Sequence, residues 1–251
     1  MAIIIKSLDE IAAMRRAGSV VASILKTLSK EIKAGVTARH LDDIAVSELT
    51  RYGAMSSFKG YRGFPATLCV SINEEIVHGI PGERVIQESD IVSLDFGAKV
   101  DGFHGDAALT VVVGNISPQA KRLLETTRCS LEAGINVARD GARLGDISAA
   151  IQHYVESRGF SVVREYTGHG IGREMHEEPQ IPNFGPPGCG PVLRKGMTVA
   201  IEPMVNIGVW QTRVKGDHWT VVTADGSHSA HFEKTIAITD GEAEVLTPWD
   251  S

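Results

Sequence analysis

Two aspartates lie in neighbouring, apolar predicted strands, where packing alone does not explain the presence of carboxylates. The stretch 93–114, SLDFGAKVDGFHGDAALTVVVG, predicts two apolar strands joined at Asp101-Gly102, a strong two-residue hairpin signal. Strand alternation then projects Asp95 and Asp106 from the same face as diagonal neighbours. Buried together, two carboxylates repel each other and take up protons. The pattern indicates either a cation site or an open, solvated face.

The turn also sets a register for the hairpin. Asp95 would face Ala108, and Asp106 would face Gly97 on the opposite strand. Because glycine and alanine are small, they leave room between the two carboxylates for them to converge.

An internal repeat supplies two further acidic residues. Segment 33–53 aligns with 139–159 at an offset of 106, and segment 92–95 aligns with 199–202 at an offset of 107. Further along the chain, 106–114 aligns with 233–241. The aligned acidic pairs are Asp95 with Glu202, and Asp106 with Glu233. Four carboxylates at one centre favour a pair of ions roughly 3.5–4 Å apart. A histidine among the ligands would favour Mn, Fe, Co or Zn over Mg or Ca.

Histidines in glycine-rich surroundings are candidates to join this centre. YTGHGIGREMHEEP (166–179) holds His169 and His176 just before the acidic strand of Glu202, and IVHGIPGERV holds His78. Glycines allow close backbone approach and unusual φ values. Of the other histidines, His104 is expected to lie outside at the hairpin tip, and His40 and His153 are expected to be structural on helices. The sequence indicates no role for His218, His228 and His231.

Helices and strands alternate in a way that repeats along the chain. Helix signals open at Ser7, Thr37, Ser117-Pro118 and Gly145, and predict helices over about 8–32, 37–53, 118–137 and 145–159. Strand-like stretches are 67–72, 91–97, 106–113, 161–165, 197–206, 218–223 and 233–239. The proline-rich stretch 177–197 is interpreted as a rigid surface loop bordering a cleft.

Composition excludes several classes of protein. The chain has 251 residues, a formal net charge of −6 and 43% hydrophobic residues, typical of a globular protein without non-specific nucleic-acid binding. Three widely spaced cysteines indicate no disulfide framework and a reducing compartment. The apolar residues before Lys6 are too few for a signal peptide or membrane span, so a cytoplasmic protein is expected.

An ordered set of motifs resembles the methionine aminopeptidases of the pita-bread superfamily. The motifs are VHGIP, LDFG, GDAA, GHGIG, MHEEP, IEPM and FEKT, and they carry His78, Asp95, Asp106, His169, His176, Glu202 and Glu233. The match runs from about Ile11 to Leu246. It resembles the short type I form, because only 25 residues separate His176 from Glu202 and no zinc-finger extension is found. The extra N-terminal domain of prolidase or aminopeptidase P is also missing.

The resemblance implies a fold. It is an α+β pita-bread fold with pseudo-twofold halves, about 7–114 and 118–241, in which helices back a curved antiparallel sheet. Residues 1–251 would then form a single catalytic domain.

The resemblance also implies roles for the acidic residues and histidines. Asp95 would chelate one metal ion, Asp106 and Glu233 would bridge both, and His169 with Glu202 would complete the other. A water or hydroxide between the ions would be the nucleophile, and Glu202 would accept its proton. His176 would polarise the substrate carbonyl, and His78 would contact the substrate near the scissile amide.

Substrate and cation contacts follow from the same resemblance. The candidate methionine pocket is apolar and suited to sulfur; its residues are Phe58, Tyr61, Phe64, Cys69, Met175 and Trp219. A monovalent cation is expected near Asn73 and Ser229.

The function implied is removal of the initiator methionine from new polypeptides, with preference for a small second residue. Expected cofactors are two divalent ions among Co, Mn, Fe, Zn and Ni. Expected partners are methionyl peptides and nascent chains, with transient ribosome contact, no membrane, no direct nucleic-acid specificity and a monomeric state. Two alternatives stay open: a pita-bread peptidase directed at Xaa-Pro bonds, and a non-catalytic binding module on this fold.

Overall fold

The computed structural model describes residues 2–250. The helices are α1 (Leu8–Glu31), α2 (Ala38–Tyr52), α3 (Pro118–Val137) and α4 (Leu144–Glu156), and a 3-10 helix spans Tyr61–Gly63. The strands of the first half are β1 (Met55–Ser56), β2 (Cys69–Ile72), β3 (Glu75–Val77), β4 (Ile91–Val100) and β5 (Phe103–Val112). Those of the second half are β6 (Ser161–Val162), β7 (Thr167–Gly170), β8 (Glu177–Pro182), β9 (Thr198–Ile201), β10 (Met204–Asn206), β11 (Thr212–Val214), β12 (Val221–Thr223), β13 (Ser229–His231), β14 (Glu233–Ala237) and β15 (Glu244–Val245).

Side-chain caps begin the helices where the sequence predicts them. Ser7 and Glu10 form a reciprocal capping box at the start of α1, because each side chain accepts the other residue's backbone N–H. The side chains of Thr37 and Ser117 cap α2 and α3, each by accepting one backbone hydrogen bond. Across residues 2–250, no helix is both long enough and apolar enough to cross a bilayer.

One nine-stranded sheet carries the acidic residues. Its order is β1-β4-β5-β14-β9-β7-β8, with β2 added to β4 and β15 added to β14, and every pairing is antiparallel. The pairing of β5 with β14 joins the two halves of the chain at the middle of this sheet. The four strands that bear or directly precede the candidate carboxylates are therefore adjacent.

The β4–β5 hairpin has the register expected from its turn. Asp95 pairs with Ala108 and Gly97 pairs with Asp106. Because β14 continues the sheet, Ala108 also pairs with Glu233 on its other side. A single small residue thus lies between carboxylates from different halves of the chain.

Helices cover one face of the sheet and form the main core with it. Leu25 and Leu28 of α1, Leu41 of α2, Leu123 of α3 and Ile151 of α4 are all fully buried in one apolar cluster with the strands. Two three-stranded sheets, β13-β10-β6 and β11-β12-β3, flank the large one. The apolar stripe of each helix therefore supports the strands that carry the site.

Two expectations from the sequence are wrong. The stretch 177–197 is not a loop throughout, because its first six residues form β8, which pairs with β7 at the edge of the sheet. His104 is not outside: it is buried, its backbone N–H donates to Gly172 O and its Nδ1 shares a 2.8 Å hydrogen bond with Ser57 Oγ. The segment around Gly172 covers the hairpin there, and no local pattern of the hairpin reports this long-range contact.

A close approach of backbones fixes α1 against the sheet. A Cβ on Gly18 would lie 2.0 Å from the backbone oxygen of Leu246, and a Cβ on Gly105 would lie 2.9 Å from Gly18 N. Gly105 directly precedes Asp106 in β5. The distance between α1 and the strand of Asp106 therefore depends on two residues without side chains.

We expect Gly18→Ala to destabilise the protein, although alanine favours a helix interior by about 1 kcal/mol over glycine. The new Cβ meets backbone atoms that cannot rotate away, and such overpacking costs about 1–3 kcal/mol. Urea unfolding measures the change. Gly216→Ala is the control, because a Cβ there has no atom within 4 Å. Equal stability of both variants would contradict the close approach.

Candidate metal centre and substrate pocket

All of the sequence-predicted site residues line a single cavity of about 650 Å³, including its open mouth. The polar members are His78, Asp95, Asp106, His169, His176, Glu202 and Glu233, and the pocket members are Phe58, Tyr61, Phe64, Cys69, Met175 and Trp219. Arg62 and Val77 also line the cavity.

Four carboxylates form the floor of the cavity. Asp95 projects from β4 and Asp106 from β5, Glu233 is the first residue of β14, and Glu202 directly follows β9. Asp95, Asp106 and Glu233 are buried, and the Glu202 side chain is only 13% exposed. The sheet order therefore brings the acidic residues of both halves to one place.

His169 points its second ring nitrogen at these carboxylates. Its Nδ1 lies 2.8 Å from Gly170 O, and because a carbonyl only accepts, Nδ1 is the donor of this hydrogen bond. Its Nε2 then faces Asp106 Oδ2 at 3.7 Å and Glu202 Oε1 at 3.8 Å. Ligand atoms of Asp106, His169 and Glu233 all lie within 4.8 Å of one another. A histidine oriented through its second nitrogen is the usual arrangement of a metal ligand.

Hydrogen bonds hold the acidic strands in place. The Thr235 hydroxyl of β14 accepts from Asp106 N at 3.1 Å and donates to Asp106 O at 2.7 Å. Trp249 Nε1 donates to Glu233 O at 2.9 Å. Because these contacts use backbone atoms, the carboxylate groups stay available to a ligand.

Burial and mutual repulsion disfavour four negative charges in this cavity. Burial, and then the neighbouring carboxylates, raise the pKa values of Asp95, Glu202 and Glu233 well above the ordinary range. Burial also raises the pKa of Asp106, although His169 opposes the change. Bound cations would reverse this penalty.

The donor set fits divalent metal ions. Asp95 Oδ1, Asp106 Oδ1 and Glu233 Oε1 are buried and have no hydrogen-bond partner in the chain between residues 2 and 250. Buried polar atoms are normally paired, so these buried oxygens without a partner are available to bind cations. Carboxylates with one imidazole suit Mn, Fe, Co, Ni or Zn.

His176 and His78 also line the cavity. His176 stacks on Tyr61 with ring centroids 5.2 Å apart, shares a 2.9 Å hydrogen bond with Tyr61 Oη, and lies 4.1 Å from the His169 ring centroid. Partial burial of the ring, followed by nearby His169 and Arg62, lowers the pKa of His176 to about 3. Burial lowers the pKa of His78 to about 4. Both rings are therefore neutral near pH 7.

One wall of the cavity is apolar. Phe58, Phe64, Met175 and Cys69 are buried in one cluster, and Trp219 packs its edge on Phe64 with centroids 5.1 Å apart. Burial, and then the charge of Asp95, raise the pKa of the Cys69 thiol well above its usual value. Cys69 is thus a neutral, sulfur-bearing part of the apolar wall.

The two backbone positions named for a monovalent cation are adjacent. Ser229 N donates to Asn73 O at 2.8 Å. Asn73 also has a positive φ of 60°, which is uncommon for a residue with a side chain.

Sequence reasoning missed one buried residue beside the acidic cluster. His231, the last residue of β13, is 1% exposed, and its Nε2 lies 3.9 Å from Glu202 Oε2. Its spacing of two from Glu233 was the available signal, but a lone histidine in an apolar strand is common. His40 and His153, by contrast, are exposed and do not line the cavity.

Comparisons with known proteins agree with the residues of the cavity. The model of metallopeptidase family M24 matches residues 12–240. Methionine aminopeptidase 1 of Bacillus subtilis is 54% identical over 98% of this chain and 99% of its own length, and methionine aminopeptidase of Clostridium acetobutylicum is 52% identical over 98% of both chains. The chain belongs to metallopeptidase family M24, in its methionine aminopeptidase branch. The predicted resemblance is confirmed, and the near-complete coverage agrees with the short form.

Solved structures of methionine aminopeptidases have the same fold as this chain. The crystal structure of methionine aminopeptidase from Thermotoga maritima superposes with a TM-score of 0.97 at 51% identity, covering 98% of this chain and 99% of that one. Prolidase from Pyrococcus furiosus shares the fold at a TM-score of 0.80 and 21% identity, although this chain covers 65% of it. The pita-bread α+β fold and the assignment as a hydrolase are confirmed.

In this member of the methionine aminopeptidase family, a buried ion pair lies beneath the segment of Met175 and His176. Lys6 Nζ donates to Glu177 Oε2 at 2.5 Å, and the two side chains are 3% and 5% exposed. Glu177 Oε1 accepts from Glu174 N at 3.3 Å. The pair therefore ties the segment before α1 to both ends of the stretch that carries two cavity residues.

We expect Lys6→Met to destabilise the protein by about 3–5 kcal/mol, because it leaves Glu177 buried without its partner. Adding Glu177→Leu should restore most of the lost free energy of unfolding. Urea unfolding measures both. Lys195→Met is the matched control: its pair with Asp240 is exposed, and such pairs contribute about 1 kcal/mol or less. A loss as small as that of the control would show that the Lys6 pair is not desolvated.

We expect the metal-free protein to lose stability as pH rises. The carboxylates have raised pKa values when folded, so the folded state binds more protons than the unfolded state above about pH 4. The favourable contribution of these carboxylates to the free energy of unfolding is complete below about pH 4. It is lost as the pH rises through their pKa values in the folded state. Each titrating group changes the free energy of unfolding by about 1 kcal/mol per pH unit in that window.

The check is urea unfolding between pH 5 and 8 in chelator, comparing the wild type with the double variant Asp95→Asn, Glu233→Gln. The wild type should show the steeper fall with pH, and an excess of Mn²⁺ should flatten it. Parallel pH profiles of the two proteins would mean that these carboxylates do not repel each other in the fold.

Proposed function

We propose that this chain hydrolyses the N-terminal methionine from peptides and nascent polypeptides whose second residue is small. The observation that carries the proposal is the meeting, in one cavity, of a buried carboxylate–histidine cluster and an apolar, sulfur-compatible wall. The relatives that cover nearly the whole chain are named for the same activity.

Two divalent ions would be held by the acidic floor. Asp95 would hold one ion, His169 and Glu202 would hold the other, and Asp106 with Glu233 would contribute to both. Cobalt, manganese, iron, zinc and nickel all suit this ligand set. When bound, such ions act as Lewis acids and lower the pKa of water toward neutrality.

The remaining polar residues are assigned to proton transfer and to the substrate carbonyl. With the ions bound, Glu202 would act as the general base that accepts a proton from the attacking water. Neutral His176 donates an N–H to the carbonyl oxygen as negative charge develops there. His78, which also lines the cavity, would contact the scissile amide.

The apolar wall would bind the methionine side chain. Phe58, Phe64, Met175 and Trp219 offer aromatic and thioether surfaces that favour sulfur contacts. Tyr61 supports His176, and Cys69 completes the base of the wall as a neutral thiol.

We also propose the setting of the reaction. Residues 1–251 act as one catalytic domain, built from related halves over about 7–114 and 118–241. The protein works as a monomer in the cytoplasm, on nascent chains and in transient contact with the ribosome. A monovalent cation binds at the adjoining backbones of Asn73 and Ser229.

A peptidase directed at Xaa-Pro bonds is the second candidate. Two prolidases, an Xaa-Pro dipeptidase and an X-Pro aminopeptidase share the fold with this chain at 19–25% identity, which is a likeness of fold only. The apolar wall instead favours methionine as the N-terminal residue of the substrate. Its long, flexible thioether side chain fills an aromatic pocket better than a short side chain does. A non-catalytic binding module is disfavoured by the complete donor set.

The test is peptide cleavage by metal-depleted protein reconstituted with Mn²⁺. Cleavage of Met-Ala-Ser should exceed that of Met-Leu-Ser and of Ala-Pro-Ser by at least about 100-fold, as expected when a whole side chain is misplaced in a pocket. Asp106→Ala should abolish turnover, and His153→Ala, on the exposed face of α4, should leave it unchanged.

Two outcomes would contradict the proposal. Preferential cleavage of Ala-Pro-Ser would assign the chain to the prolidase specificity. Tight Mn²⁺ binding without cleavage of any peptide would favour the binding module.

A further inference from the structure

His231 is a buried histidine that the proposed mechanism does not use. It is 1% exposed, and neither ring nitrogen has a hydrogen-bond partner among residues 2–250. It lies beside Glu202, whose Oε2 is 3.9 Å from His231 Nε2. Since buried imidazoles are normally hydrogen-bonded, an unpartnered ring beside a candidate ligand calls for a function.

The backbone of His231 is held firmly in this position. Its N–H donates to Thr110 Oγ1 at 3.0 Å, and Thr110 Oγ1 donates to His231 O at 2.9 Å. The Thr110 hydroxyl also shares a 2.9 Å hydrogen bond with Ser93 Oγ. Thr110 lies on the same face of β5 as Asp106. The backbone that carries the ring is therefore tied to the strand of Asp106.

The two oxygens of Glu202 face two different imidazoles. Oε1 lies 3.8 Å from His169 Nε2, and Oε2 lies 3.9 Å from His231 Nε2. An imidazole carries at least one N–H in either protonation state. Shortening the second distance to a hydrogen bond needs a movement of about 1 Å. Glu202 follows the end of β9, so no strand pairing of its own opposes that movement.

We propose that His231 is a positioning residue for Glu202. It donates Nε2–H to Glu202 Oε2 and so keeps Oε1 directed toward the metal centre. This inference rests on the proposed metal centre, and it assigns His231 no contact with the substrate. Partners of this kind set the orientation of a ligand, and their removal weakens metal binding by about 10- to 100-fold.

The test measures Mn²⁺ binding to metal-depleted protein by calorimetry, without substrate. His231→Leu removes the donor with little change of volume, and His231→Gln keeps an N–H donor. We expect His231→Leu to weaken binding by about 10- to 100-fold and His231→Gln to stay within about threefold of the wild type, as a retained donor implies. In peptide cleavage at saturating Mn²⁺, His231→Leu should lower kcat more than it raises KM.

A second buried histidine provides the matched control. His104→Leu also deletes a buried imidazole, but that ring is hydrogen-bonded to Ser57 Oγ. We expect it to lower thermal stability while its Mn²⁺ affinity stays near that of the wild type. Should His231→Leu fail to fold, His231→Ala serves in its place, and the comparison with His231→Gln is unchanged.

The outcomes distinguish the positioning role of His231 from the metal centre itself. Wild-type Mn²⁺ affinity in His231→Leu would overturn the positioning role and leave the metal centre intact. Equal weakening in His231→Gln and His231→Leu would show that shape, not the N–H, matters, and would also overturn it. Absence of Mn²⁺ binding to the wild type would refute the metal centre itself, and His231 with it.

Discussion

The mutual repulsion of four buried carboxylates is the constraint on which the rest of the structure depends. Asp95, Asp106, Glu202 and Glu233 come from adjacent strands or strand ends at the centre of one sheet. Left to themselves they would bind protons, as their raised pKa values show. A fold that concentrates such costly groups is explained by cations, because cations turn repulsion into coordination.

The scaffold around this cluster keeps the carboxylates in place without using their oxygens. Thr235 bridges the backbone of Asp106, Trp249 binds the backbone of Glu233, and Gly170 orients His169. Close packing of α1 through Gly18 supports the same strand from behind. The side-chain atoms that could bind metal therefore remain unpaired while the strands that carry them are rigid.

The floor and one wall of the cavity differ in their chemistry. The acidic floor supplies charge, and the aromatic and thioether wall supplies an environment for an apolar side chain. Between them lie His176 and His78, both neutral because burial lowers their pKa values. The Lys6–Glu177 pair ties the segment of His176 to the start of the chain, so residues far apart in sequence fix the mouth of the site.

The sequence alone determined what depends on local rules. The Asp101-Gly102 turn and strand alternation set the pairing of Asp95 with Ala108, and capping residues set the starts of α1, α2 and α3. The motif set located every candidate ligand that the structure brings together. Only the tertiary structure decided what depends on contacts between distant segments. Gly172 buries His104, β7 turns the start of 177–197 into a strand, and β13 places His231 beside Glu202. Periodicity reports which face of an element is apolar, but it does not report which distant group covers that face.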